Sequence, residues 1–433
     1  MLEQGVGSAG AAKGLRIRPF CQMLAAWLIV IGVFTIPLLG TAAHNLFLGL
    51  ALILGLLSFP LGSWTRTLRT YPAISMGLAL FVWLGLSAFW GSVPLGDGIA
   101  YWGKYRELLI IPVFAMLFIQ RPDLRDKAAI SLYIALFLSL IAAYLIHNGL
   151  VDWTENAHSL KNRIFHGISM SLFGYWTLRV VLSAKELQRE IYRYVALGAY
   201  GLAAYSIFFI ENGRTGYLCF LGLSGLAVLE RLGLRKSLKL IAIAVPLLAA
   251  LFALLGVDHV RILTGHNNLV LPETASLSEQ LQVADIRLEY WIVGALTYLE
   301  HWLLGAGVGS FELAYQNVHS SMATYWAATA NAHNEMLMIG IQSGIIGLLL
   351  YLGFIVLTAR FRASVTGTEN GTLWMHSGLA MAGLIFVAGL FNSSIMDHGD
   401  GILFASALSL MFAGARMPAF LFADDAKPPT VDN

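Results

Sequence analysis

The stretch VDHVRILTGHNNLVLPETASLSEQLQVADIRLEYW, residues 257–291, is the one long segment of this chain that water would hold comfortably. The polar break runs on to residue 334 and ends at ATANAHNEMLMIGIQSGIIGLLLYLGF, residues 328–354, where an apolar run resumes. Around it the 433 residues are 58% hydrophobic and only 12% charged, with mean hydropathy +0.71. A soluble domain of this size carries about 25% charged residues, so the chain reads as a polytopic membrane protein. Cys21 and Cys219 form no paired framework, which argues against a disulfide or a thiolate metal site.

Apolar runs long enough to matter to a bilayer occur near 22–40, 45–62, 72–90, 107–120, 128–146, 166–183, 194–211, 215–230, 239–256, 335–357, 374–391 and 402–417. These predict an all-α fold of about twelve transmembrane helices with one large outer loop. Residues 1–256 form an N-terminal bundle of about nine spans, 257–334 a loop or lid, 335–417 about three further spans, and 418–433 a cytoplasmic tail. Lys13, Arg16 and Arg18 precede an apolar run too long for a signal peptide core, so the first span reads as uncleaved. Twenty of the 27 basic residues fall on the side of the N-terminus, which sets both termini in the cytoplasm. The other seven are Lys104, Arg106, Lys161, Arg163, Arg214, Arg261 and Arg287. Topology disfavours them outside, so they need a reason. Ten of the eleven histidines share that outer side, His376 being the exception.

Within the break, residues 283–303 have helical spacing with Trp291, Tyr298 and Trp302, which suits a helix at the bilayer interface. Arg214 stands in Glu211-Asn-Gly-Arg-Thr-Gly216. It is either a topological anchor, with Glu211 as partner, or a guanidinium aimed at phosphate, with Gly213 and Gly216 admitting a bulky ligand. Arg287 is either half of an ion pair with Asp285 or Glu289, or a diphosphate ligand on the interfacial helix. His333 is either a cap or a general base, with Glu335 the nearest orienting carboxylate. Lys161, Arg163 and His166 form one outer basic cluster and Lys104 with Arg106 another. Either holds anionic head groups loosely or completes a diphosphate site. Asp397, His398 and Asp400 look like metal ligands on paper, and loop solvation explains them as well. Gly305-Ala-Gly-Val-Gly-Ser310 lacks the third glycine and the preceding strand of a dinucleotide site, and reads as a turn. No motif for a nucleotide or catalytic metal stands out, which points to a pre-activated donor and no cofactor.

Together these residues carry a resemblance. Arg214-Thr-Gly-Tyr-Leu218, Arg287-Leu-Glu-Tyr-Trp291, the Gly305–Phe311 turn and His333-Asn334 followed by Gly344 and Gly347 resemble the O-antigen ligase and polymerase superfamily. The last pattern is similar to the H-N-x9-G-x-x-G of O-antigen ligases of the WaaL type, with Gly213 standing where relatives often carry Ser. The resemblance implies a GT-C-like glycosyltransferase in the bacterial inner membrane with its site in the periplasm. Its donor would be O-antigen on undecaprenyl diphosphate and its acceptor lipid A–core oligosaccharide. His333, Arg214 and Arg287 would be catalytic. Arg163, Lys161, His166, Asn334, Lys104 and Arg106 would contribute to head-group binding. Transfer would be inverting and metal-independent. An O-antigen polymerase or a protein O-oligosaccharyltransferase would share the donor chemistry. A transporter fits less well, because the charges gather at one mouth and no internal repeat is evident.

Overall fold

The computed structural model describes residues 6–152, 159–183, 189–211, 213–255, 286–322, 324, 326–361 and 377–415, and among these it is helical without strands. The helices are α1 (Val6–Thr35), α2 (Thr41–Ser58), α3 (Leu61–Thr70), α4 (Pro72–Ser87), α5 (Leu95–Trp102), α6 (Glu107–Gln120), α7 (Pro122–His147), α8 (Arg163–Leu182), α9 (Glu190–Tyr205) and α10 (Arg214–Leu255). After the break come α11 (Ile286–Glu300), α12 (Phe311–Ser320), α13 (Glu335–Ala359), α14 (Gly378–Phe391) and α15 (His398–Phe412).

Each expected apolar run coincides with a helix over most of its described length. Seven helical stretches among the described residues are long and apolar enough to cross a membrane: 18–35, 41–58, 72–90, 122–147, 190–210, 214–239 and 335–359. The other five runs are helical but differ in kind. The 14-residue helices α6 and α14 rise only about 21 Å, short of a hydrocarbon core. Helix α15 is also short, and α8 carries Arg163 and Arg179 near its ends. The runs 215–230 and 239–256 are not separated by a coil. They are two parts of α10, interrupted only at Gly233, where φ 73° and ψ 166° leave the helical region. Residues 41–44 begin α2, and the preceding turn occupies 36–40.

Helix starts are dictated locally. Pro72 and Pro122 open α4 and α7, where a missing N–H costs nothing. Asn162, Asn334, Ser377 and Asp397 cap α8, α13, α14 and α15 with side-chain oxygens. The helices then pack as pairs, α1 with α2 and α7, α8 with α10, α4 with α13 and α6 with α15. At the α8–α10 crossing a Cβ on Gly167 would come 2.8 Å from the Gly216 Cα, so the glycines let two backbones touch. Gly216 therefore admits a neighbouring helix and not a ligand.

The polar ends of the bundle are distinct. The starts of α2, α6, α8, α10, α13 and α15 share one end: Lys161 Nζ donates to Leu39 O, Arg106 to Asn45, and Glu335 accepts the Ile395 amide. At the opposite end Arg125 donates to Ala413 O at 2.9 Å and Arg179 pairs with Glu230.

Helix α13 is broken near the first end. Gly344 takes φ 66° and ψ −164°. The freed carbonyls of Ile341 and Gln342 accept Ala306 N at 2.7 Å and Gly307 N at 3.0 Å, and Ile345 N donates to Trp302 O at 2.7 Å. The Gly305–Ser310 segment is thus the expected turn, with positive φ at Gly305, Gly307 and Gly309. It also plugs the helix break. Trp83 and Trp90 Nε1 donate to Ser343 O and Leu304 O, and Gln342 joins Gly309 N to Tyr105 OH. The carbonyls of Ile341, Gln342 and Ser343 and the amide of Ile345 thus find partners outside the helix, as backbone groups shielded from water require.

Candidate active site at the mouth of the bundle

Arg214 is the first residue of α10 and Arg287 the second of α11. They come together on a cavity of about 490 Å³, lined also by Thr215, Tyr217 and Leu218 from α10, Leu288 and Trp291 from α11, and Phe391 from the end of α14. The walls are mostly apolar and the charge is concentrated in two guanidinium groups. The start of α10 adds the positive end of a helix dipole.

His333 adjoins this cavity through Trp291, whose indole N–H donates to His333 O at 3.4 Å and whose ring lies 5.8 Å from that of Phe391. The His333 ring lies nearly parallel to Tyr290, with centroids 5.9 Å apart. Among the described non-glycine residues only His333 has positive φ, at 47°. Its amide donates to Asn331 Oδ1 at 2.8 Å, and that oxygen also accepts the Ser393 hydroxyl at 2.7 Å. A non-glycine residue in this region is held by its surroundings, and such positions concentrate at functional sites. Burial, and then the positive charge of Arg287, push the imidazole below its ordinary 6.5, while a hydrogen bond with Asn392 opposes them. His333 is therefore neutral, and able to accept a proton, over most of the near-neutral range.

Glu335 does not orient this imidazole. Its carboxylate is fully buried and accepts the Ile395 amide at 2.8 Å, because the first turn of α13 aims it at the loop after α14. The partner of His333 is Asn392 instead. Asn334 is committed as well: Oδ1 accepts Met336 N and Leu337 N at 3.0 and 3.1 Å, and Nδ2 donates to Leu390 O. It shapes the site by capping α13. Asn334→Ala is expected to cost about 1 kcal/mol of stability, read as a lower thermal midpoint in detergent.

The remaining expected site residues separate into groups. Arg163 is exposed at the start of α8, its carbonyl 3.5 Å from where a Cβ on Gly213 would stand, so it flanks Arg214. His166 is a correction: it is only 2% exposed and bonds Ser206 Oγ at 3.2 Å inside the bundle, one helical turn too deep for a head group. Lys161 is tied to Leu39 O in the turn after α1. Lys104 is exposed, with Nζ 4.1 Å from the Tyr101 ring centre. Arg106 belongs to a different polar cluster with Asn45 and His398. Arg261, like Asp285, lies outside the described residues. Tyr290, Phe391 and Asn392 were not foreseen. Asn392 in particular carries no sequence signal, because it only becomes a neighbour of His333 when α14 folds against α13.

No curated protein matches this chain. Residues 199–352, the segment that holds Arg214, Arg287 and His333, match the family model described as O-Antigen ligase.

Proposed function

We propose that this protein moves O-antigen polysaccharide from undecaprenyl diphosphate to a sugar hydroxyl of lipid A–core oligosaccharide, at the periplasmic face of the bacterial inner membrane. One observation carries the reading: two arginines 73 positions apart in sequence line one largely apolar cavity, with a neutral-poised histidine beside it. Guanidinium forks suit the diphosphate oxygens, and Leu218, Leu288, Trp291 and Phe391 suit the amphiphilic flanks of a lipid-linked sugar.

In the proposed step His333 takes the proton of the acceptor hydroxyl. The acceptor oxygen forms a bond to the anomeric carbon as the bond from that carbon to the diphosphate oxygen breaks. The electron pair leaves with undecaprenyl diphosphate, where Arg214 and Arg287 stabilise the growing charge. Attack opposite the leaving group inverts the anomeric centre. Arg163, beside Arg214, supplies a further cation for the donor. Because guanidinium groups do the neutralising, the reaction needs no divalent ion, and chelation is expected to leave the rate unchanged. A loss restored by added magnesium would reject that mechanism.

The test of the acceptor is a reconstitution with purified components: lipid-linked polymer as donor, and lipid A–core, growing glycan or an unfolded protein offered separately. Label is expected in lipid A–core. Label only in glycan or only in protein would reassign the enzyme as a polymerase or a protein oligosaccharyltransferase.

A further inference from the structure

A second polar cluster lies at the same end of the bundle, built from the starts of α2, α6 and α15. Arg106 Nη2 is 3.2 Å from Asn45 Oδ1, 2.8 Å from His398 Nδ1 and 3.0 Å from His398 Nε2. His398 Nδ1 is 2.9 Å from Glu107 Oε1, and its Nε2 is 2.6 Å from Asn45 Oδ1. The His44 ring is 5.2 Å from that of His398 and 1% exposed, and neither of its nitrogens has a hydrogen-bond partner among the described residues. Lys161 and Arg106 both lie close enough to act on His44 electrostatically.

The hydrogen bonds of this cluster cannot all be satisfied at once. With one proton, on Nδ1 toward Glu107, His398 accepts from Arg106 through Nε2, and Asn45 Oδ1 then faces that same lone pair at 2.6 Å. With two protons His398 satisfies both Glu107 and Asn45, but the Arg106 donor then faces its N–H groups. Turning the Asn45 amide moves the conflict onto Arg106, 3.2 Å away. Two buried groups here are left without partners among the described residues, the His44 ring and Glu107 Oε2, and the cation Arg106 stands at the exposed edge of the cluster. Arg106 is the accessible member, its side chain 41% exposed, whereas Glu107 is 2% exposed. An anion that accepted from Arg106 would draw the guanidinium off His398 and give the orphaned His44 ring an acceptor.

We infer that His44, Arg106 and His398 form a second anion site, for the phosphoryl group of a lipid head group, separate from the Arg214–Arg287 cavity. Its membrane-end placement favours a lipid-borne phosphate over a free one. The loop from Asn392 to His398 connects the sites, touching His333 at its first residue and Arg106 at its last. This second site stands whether or not the first holds a diphosphate.

The test uses the full chain carrying Arg214→Gln and Arg287→Gln, so that the first cavity does not contribute. The protein in detergent is offered phosphatidic acid and phosphatidylcholine in equal amounts, and retained lipid is counted by native mass spectrometry. Phosphatidic acid is expected to be preferred, and Arg106→Gln or His44→Gln to lower that preference about tenfold, the worth of one hydrogen bond to a charged group. Arg106→Lys, which keeps the charge, is expected to retain most of it. Absence of preference, or preference that ignores both substitutions, would overturn the site. Binding of inorganic phosphate with no discrimination between the lipids would overturn its assignment to a head group.

Discussion

His333→Ala is expected to abolish polymer transfer, a loss of about 10² to 10⁴-fold for removal of a general base, while membrane insertion and yield stay normal. The backbone at His333 has φ 47°, which alanine tolerates poorly, so His333→Asn is the companion variant. Both should be inactive, and only the asparagine should match wild-type thermal stability. Transfer surviving in either would remove His333 from the mechanism. The pH profile separates a base from a merely structural histidine. Burial and Arg287 hold its pKa below 6.5, so the base form persists on acidification and is lost only as pH falls through that lowered value. Activity of wild type should decline on the acid side below pH 6.5. Arg287→Gln removes one lowering cause and should move that limb upward, besides slowing the reaction. Asn392→Ala removes the opposing hydrogen bond and should move it downward. An acid limb that ignores both changes would belong to another group.

Gly344→Ala is expected to have the largest effect on folding. The conformation φ 66°, ψ −164° is open to glycine and strains other residues by about 1–3 kcal/mol. A Cβ would in addition run into the backbone of Leu303 and Leu304. That backbone belongs to the turn that plugs the break, so it cannot yield without exposing Ile341 O and Gln342 O. The measure is the yield of monodisperse protein and its thermal midpoint. Gly353→Ala, farther along α13, is the control: the nearest atoms to its Cβ are in Met76 at 3.5–3.7 Å, an ordinary contact. Equal stability of the two variants would mean that the break is not required.

The two glycines show what the sequence discloses and what it conceals. Residues 335–357 read as one uninterrupted apolar run, and hydropathy is blind to a backbone break inside it. The H-N-x9-G-x-x-G spacing marked Gly344 as special without saying why. Its role appears only with the Gly305–Ser310 turn, read in isolation as a mere connection, docked against it. The same division holds at the site. Arg214, Arg287 and His333 were legible because each breaks a local rule: charge on the disfavoured side, or a polar triplet before an apolar helix. Glu335 looked like the partner of His333 because it is two residues away. A helix start sends neighbouring side chains in different directions, and here it sends Glu335 to Ile395. His166 misled for a related reason, since the basic Lys161–Arg163 segment is exposed but one turn further on α8 points into the bundle. The cluster of His44, Arg106 and His398 joins positions up to 354 apart in sequence, beyond the reach of any spacing argument.

The plugged break in α13 bears on how such an enzyme could be rebuilt. Two segments, 302–309 and 341–345, are tied together by backbone hydrogen bonds, and Trp83, Ser87 and Trp90 lock them to the first half of the chain. The segment bearing Arg287 is therefore not a cassette. A chimaera that grafts residues 286–322 from a relative, in the hope of transplanting its substrate preference, must carry α4 and the first half of α13 with it. The natural unit of exchange is a discontinuous one.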